Sequence, residues 1–113
     1  MAVRSRVPVF VTLALALVCP AASQPPATLL VLNKVEATLA FVDPATGQVT
    51  GKVPTGEGPH EVISDGTRAY VGNYGTQTPG GTISVVDLAA RKEVRRVALG
   101  PLRRPHGMAW VGR

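Results

Sequence analysis

The chain has 113 residues, a formal net charge of +5, one cysteine, 12 glycines and 10 prolines, and 4% aromatic residues. That length holds at most one small domain, and a single cysteine excludes an intrachain disulfide framework. No long helical periodicity runs through it; glycines and prolines recur between short apolar runs, the pattern of an all-β chain with frequent turns.

The first two dozen residues differ from the rest. Arg4 and Arg6 precede an apolar run from Val7 to Val18, followed by Pro20 and the small residues Ala21, Ala22 and Ser23. A charged start, about a dozen apolar residues and a small-residue exit describe a secretory signal, residues 1–23, cut near Ser23. A membrane anchor would need roughly 20 apolar residues, and Pro20 closes the run earlier. The expected compartment is therefore periplasmic or extracellular, with no transmembrane segment after cleavage. Cys19 is lost with the signal; lipid attachment there would want a small residue in place of Val18. Without Arg4 and Arg6 the basic count falls from 12 to 10 against 7 acidic residues, leaving +3. That mild charge does not imply nucleic acid.

Residues 24–28 form a Pro-rich lead-in. Eight strands are then predicted: Leu29–Asn33, Thr38–Asp43, Gln48–Val53, His60–Ser64, Arg68–Asn73, Thr82–Asp87, Lys92–Leu99 and His106–Val111. The turn Asp43-Pro44-Ala45-Thr46-Gly47 follows the second, and Asp65-Gly66 joins the fourth to the fifth as a hairpin. Runs such as LLVLN and ISVVD are apolar at successive positions, which predicts burial on both faces, and Trp110 is expected in the core.

The chain repeats itself. Val31 and Asn33 recur 40 residues on as Val71 and Asn73, while Val42-Asp43 recurs 44 residues on as Val86-Asp87. Val53 and Gly56 match Val97 and Gly100 at 44, and Pro59-His60 matches Pro105-His106 at 46. A unit of about 40–45 residues with four short strands is the period of a propeller blade.

Ala69-Tyr70-Val71-Gly72-Asn73, preceded by Ser64-Asp65-Gly66 and followed by TISVVDLAARKEV, resembles the YVTN-type β-propeller repeat, whose blade runs P-x-x-V-x-x-S-P-D-G, Y-V-x-N, V-x-D-x-x-T-G. One departure is Asp65 following Ser64 without a proline between them. The resemblance covers residues 29–113 and implies four-stranded antiparallel blades. About two would be present: three strands of one, a complete second, and the innermost strand of a third. Known rings need about four to eight blades, so the ring is incomplete. Further blades would come from a longer chain, the preferred reading, or from self-association.

The paired Pro-His segments, Pro59-His60-Glu61 and Pro105-His106-Gly107, would begin innermost strands and bring both imidazoles to one mouth of the central channel. There they are candidate ligands of a metal or a proton-transfer pair; a structural histidine bonding a neighbouring blade is the plainer use. Glu61 is a candidate carboxylate, but strand neighbours point to opposite faces, which argues against His60 and Glu61 meeting at one atom. Asn73 and Tyr74 are further binding candidates. Pro-His-Glu followed by Asn-Tyr-Gly also resembles the seven-bladed lactonase family, which includes 6-phosphogluconolactonases and would cast His60, Glu61 and Arg68 in hydrolytic roles. The basic residues Arg91, Lys92, Arg95, Arg96, Arg103 and Arg104 suggest polyanion binding or a charged edge that blocks sheet addition. No aromatic platform for bases interleaves them.

The expected function is an exported binding or interaction scaffold without catalysis and without a cofactor, taking a protein or small-molecule ligand at the channel mouth. A lactonase-like hydrolase and a polyanion-binding surface protein are the alternatives.

Overall fold

The computed structural model describes residues 26–112. The expected signal with Cys19, and residues 24 and 25 of the lead-in, lie outside the described residues. Among the described residues no helix is long and apolar enough to cross a membrane.

Seven strands form: β1 (Leu29–Asn33), β2 (Thr38–Val42), β3 (Val49–Pro54), β4 (Pro59–Ser64), β5 (Arg68–Gly75), β6 (Pro79–Asp87) and β7 (Lys92–Ala98). They make two antiparallel sheets in sequence order, β1-β2-β3 and β4-β5-β6-β7. Every connection within a sheet is therefore a hairpin or short loop. The Asp65-Gly66 turn shows why such sequences reverse the chain. Gly66 takes φ +87°, a region open to residues without Cβ. Asp65 Oδ1 accepts the N–H groups of Thr67 at 2.8 Å and Arg68 at 2.6 Å.

Leu39, Phe41 and Val53 of the first sheet pack with Ala69, Val71 and Val86 of the second, flanked by Leu30, Leu32, Val62 and Leu88. The core is the layer between the sheets, and full burial of each of its valine, leucine and phenylalanine side chains is worth about 1.5–3 kcal/mol relative to exposure. Arg91 clamps this layer from one end. Its guanidinium lies 4.9 Å from the Phe41 ring centre, and Nη1 donates to the Thr50 carbonyl at 2.7 Å.

Local geometry recurs between the sheets. Asn33 Nδ2 donates to Thr38 Oγ1 at 3.0 Å, and Asn73 Nδ2 to Thr82 Oγ1 at 2.8 Å. Asp43 Oδ1 accepts from the Ala45 N–H at 2.8 Å, and Asp87 Oδ1 from the Ala89 N–H at 3.0 Å. Register shifts once between Phe41 and Val42 and again between Val85 and Val86. The residue closing the turn after each aspartate, Gly47 or Arg91, takes φ of +71° or +50°.

Three expectations are corrected. His106–Val111 is not a strand: positive φ at Arg104 (56°) and Gly107 (68°) turns the backbone out of the extended conformation that a ladder needs. Trp110 is accordingly 57% exposed rather than core, its ring 5.6 Å from that of Tyr70. The LLVLN strand is partly buried, not enclosed on both faces. The far face of the second sheet is only partly covered, by the segment after β7, and beside it Tyr70, Ile83, Val85 and Val97 line a shallow recess.

Candidate functional site

The candidate site lies at the end of the sheets where β4 begins and β5 finishes, opposite the aspartate turns. β4 opens with Pro59, a position where a missing N–H is tolerated. Pro59 pairs with Asn73, but Glu61 pairs with the next residue along β5, Gly72. His60 is thus an extra residue, a β-bulge, and a bulge breaks strict alternation of side chains. His60 Nδ1 and Glu61 Oε1 come to 3.4 Å. The strand-alternation argument against their convergence is overturned at this one residue.

A second irregularity places Tyr74. Asn73 pairs with Thr82 and Gly75 with Pro79, so β6 carries the extra residue opposite Tyr74. The Tyr74 and Gly75 N–H groups turn instead to the carbonyls of Gly58 at 3.1 Å and Glu57 at 2.9 Å. Gly58, at φ +59°, has to be glycine twice over: a Cβ there would strike the Gly75 carbonyl. This crossing locks the β3–β4 loop to the end of β5, and Thr76 Oγ1 bonds Glu57 Oε1 across it.

His106 arrives from the opposite direction. The segment after β7 is tied to β6 by Leu99 N–H to the Gly81 carbonyl at 2.9 Å and Arg104 N–H to the Gly80 carbonyl at 2.7 Å. It passes over Gly72, where Pro105 and Met108 lie just at contact distance, 3.4–3.7 Å, from the place a Cβ would take. The His106 ring is then 4.6 Å from that of His60, and Nε2 is 3.9 Å from Glu61 Oε1. One ligand atom from each of His60, Glu61 and His106 lies within 4.8 Å of the others. Tyr74 borders both imidazoles, with ring centres at 5.1 Å from His60 and 6.0 Å from His106.

Arg104 and Lys34 stand over the Tyr74 ring at 4.8 and 5.1 Å. Neither was singled out for this site from sequence. Arg104 was grouped with the basic stretch, and Lys34 reaches the site from the β1–β2 turn, a proximity that only the stacking of the sheets creates.

Of the five expected residues, His60, Glu61, Tyr74 and His106 come together. Asn73 does not join them. It is buried to 2% exposure, where Oδ1 accepts the Gly56 N–H at 3.1 Å and Nδ2 donates to Ser84 Oγ at 2.9 Å and to Thr82. Arg68 begins β5 beside the Asp65 turn, at the other end of the hairpin from His60. The basic residues are largely engaged: Arg96 makes a two-pronged pair with Glu93, both contacts 2.9 Å, and Arg103 bonds the Leu102 carbonyl at 3.0 Å.

No protein-family model matches the chain, and no curated protein does. Among solved structures, a chain of Kuenenia stuttgartiensis hydrazine synthase is similar, with 31% identity and a TM-score of 0.56 over 65% of this chain. The matched part of this chain corresponds to about a fifth of that chain's length, 20%.

Proposed function

We propose that the chain is an exported binding module made of about two YVTN-type propeller blades, without catalysis of its own, which takes its ligand at the cluster of His60, Glu61, Tyr74 and His106. The observation that carries this reading is the convergence of the two Pro-His segments, 46 residues apart in sequence, onto rings 4.6 Å apart. Two sheets of hairpin-linked strands, with the same Asn–Thr bond, aspartate turn and register shift in each, support the blade assignment. In a ring, the partly covered far face of the second sheet would receive a further blade, either from continuing chain or from another copy.

The alternative from another class is a lactonase-like hydrolase. The convergence of His60 with Glu61 favours it; the remoteness of Arg68 does not. The two are separated by assaying the 113-residue chain against sugar lactones with and without divalent metal. The binding module is expected to give no turnover above buffer, and turnover that His60→Ala abolishes would overturn it. A polyanion-binding surface instead predicts retention on heparin that falls steeply with salt.

A further inference from the structure

We propose that His60, Glu61 and His106 bind one divalent transition-metal ion, zinc above all, with three protein ligands and the remaining coordination open to solvent. This deepens the reading of the cluster as the ligand site and rests on it.

The donor set points to the class of ion. Two imidazoles and one carboxylate suit zinc and its first-row neighbours, and the same combination occurs at open zinc sites. Calcium and magnesium take oxygen ligands, of which the cluster offers a single carboxylate.

The spacing points the same way. Zinc–ligand bonds of about 2.0–2.1 Å put tetrahedral ligand atoms roughly 3.3 Å apart. Here the carboxylate oxygen is 3.4 Å from one imidazole nitrogen and 3.9 Å from the other. Both separations exceed the roughly 2.7–3.2 Å of a direct N–H···O bond. The groups are too far apart to satisfy one another and close enough to share an ion. The ligand atoms now lie within 4.8 Å of one another, so the widest pair has to close by up to roughly 1.5 Å, a side-chain movement open to groups that keep a third or more of their surface exposed.

The surroundings leave the carboxylate available. Among the described residues, the two imidazole nitrogens are the only basic groups within 4.0 Å of the Glu61 carboxylate. The nearby cations Arg104 and Lys34 are drawn to the face of Tyr74 instead. The frame is also set in advance: the bulge at His60 aims two consecutive side chains to one side, and the Arg104–Gly80 bond fixes the approach of His106. His106, with 59% of its side chain exposed, leaves the open side accessible to water or to an exogenous ligand.

The test is titration of the 113-residue chain with zinc chloride, in a Cys19→Ser background that removes the one thiol. Cobalt(II) serves as the visible-absorption probe and magnesium chloride as the hard-cation control. One zinc per chain and an intense cobalt spectrum of low coordination number are expected, with no binding of magnesium. Removing even an outer-shell partner of a metal site costs about 10–100-fold, so His60→Ala and His106→Ala should each weaken zinc binding by at least about tenfold. His106→Gln and Glu61→Gln, which preserve size and polarity, should do the same while far-ultraviolet circular dichroism stays that of the parent. Unchanged zinc affinity in His60→Ala, or equal affinity for magnesium, would overturn the site. Lactone turnover by the zinc-loaded chain would overturn the non-catalytic reading and leave the metal site standing. Absence of zinc binding overturns the metal site and leaves the binding module to be judged by its own assay.

Discussion

Asn33 and Asn73 stand 40 residues apart and make the same bond to a threonine, yet their replacement by alanine should differ severalfold in cost. Asn33 makes one side-chain bond, to Thr38 in a half-buried setting. Asn73 accepts from the Gly56 N–H and donates to both Thr82 and Ser84 in a fully buried one. Each such bond is worth about 0.5–1.5 kcal/mol net, and a buried group left unpaired costs more. Asn73→Ala should therefore lose roughly 2–4 kcal/mol and Asn33→Ala about 1. With a urea slope of about 1 kcal/mol per M for a chain of this size, the midpoint should fall by roughly 2–4 M for the first variant. That is enough to unfold a small domain. Ser84→Ala keeps the experiment readable in that event, since it removes part of the same network and should cost roughly 1–3 kcal/mol. The assay is urea unfolding followed by circular dichroism. Equal costs at positions 33 and 73 would refute the argument that the buried network holds the β3–β4 loop against the second sheet.

Arg91 sits at φ +50°, which costs a side-chain-bearing residue about 1–2 kcal/mol, and repays it through Thr50 and Phe41. Arg91→Ala keeps the strain and loses the contacts, so it should be less stable than Arg91→Gly by about 1 kcal/mol; the reverse order in thermal unfolding would contradict this. In Gly72→Val the γ-methyls would reach beyond a Cβ that already lies 3.4–3.7 Å from Pro105 and Met108, pushing that segment off β5 and displacing His106, with at least about a tenfold loss of zinc affinity; parent affinity in that variant would show that His106 needs no such path. Acid should destabilise the fold. Backbone N–H groups of Arg68 and then Thr67 hold Asp65 below the ordinary aspartate range, the Ala45 N–H does so for Asp43, and the Lys52 ammonium bonded to Glu36 lowers that carboxyl too. Groups whose pKa is depressed on folding contribute fully above their unfolded value and lose that contribution as pH falls through the folded one. Unfolding midpoints should hold above about pH 5 and drop below about pH 4. Asp65→Asn, which retains the acceptor without the titration, should flatten the fall; an unchanged slope would rule Asp65 out as a contributor.

Most of the strand pattern was legible because it rests on local chemistry. Asp65-Gly66 and the Asp43 turn reverse the chain through their own side-chain bonds, and the apolar runs between them alternate against the core. The strands that grew beyond their expected ends, β5 to Gly75 and β6 back to Pro79, did so through Gly75, Gly80 and Gly81. Those residues read as loop. Their missing Cβ atoms are what lets the backbones approach: a Cβ on Gly75 would meet the Thr78 carbonyl, and one on Gly80 the Asn73 carbonyl. Glycine weakens an isolated strand and permits a crowded one, and composition does not distinguish the two. The eighth strand failed for a different reason. Its residues suit a strand, but positive φ at Arg104 and Gly107 bends the backbone, and the segment crosses the face of β5 at Gly72 without joining a ladder.

The site was legible as residue types and illegible as geometry. Two Pro-His segments suggested convergence because they recur, and they do converge, though His106 arrives on an irregular segment and not on a strand. The sharper lesson is the pairing of His60 with Glu61. Alternation of side chains along a strand forbids it, and one inserted residue permits it. That insertion is set by partners distant in sequence: Asn73, drawn inward to Gly56 and Ser84, pairs with Pro59, while Gly72 pairs with Glu61. The burial of Asn73 and the exposure of the His60–Glu61 edge thus belong to one arrangement. Asn73 contributes no ligand atom, but it lies at the register step from which the bulge begins.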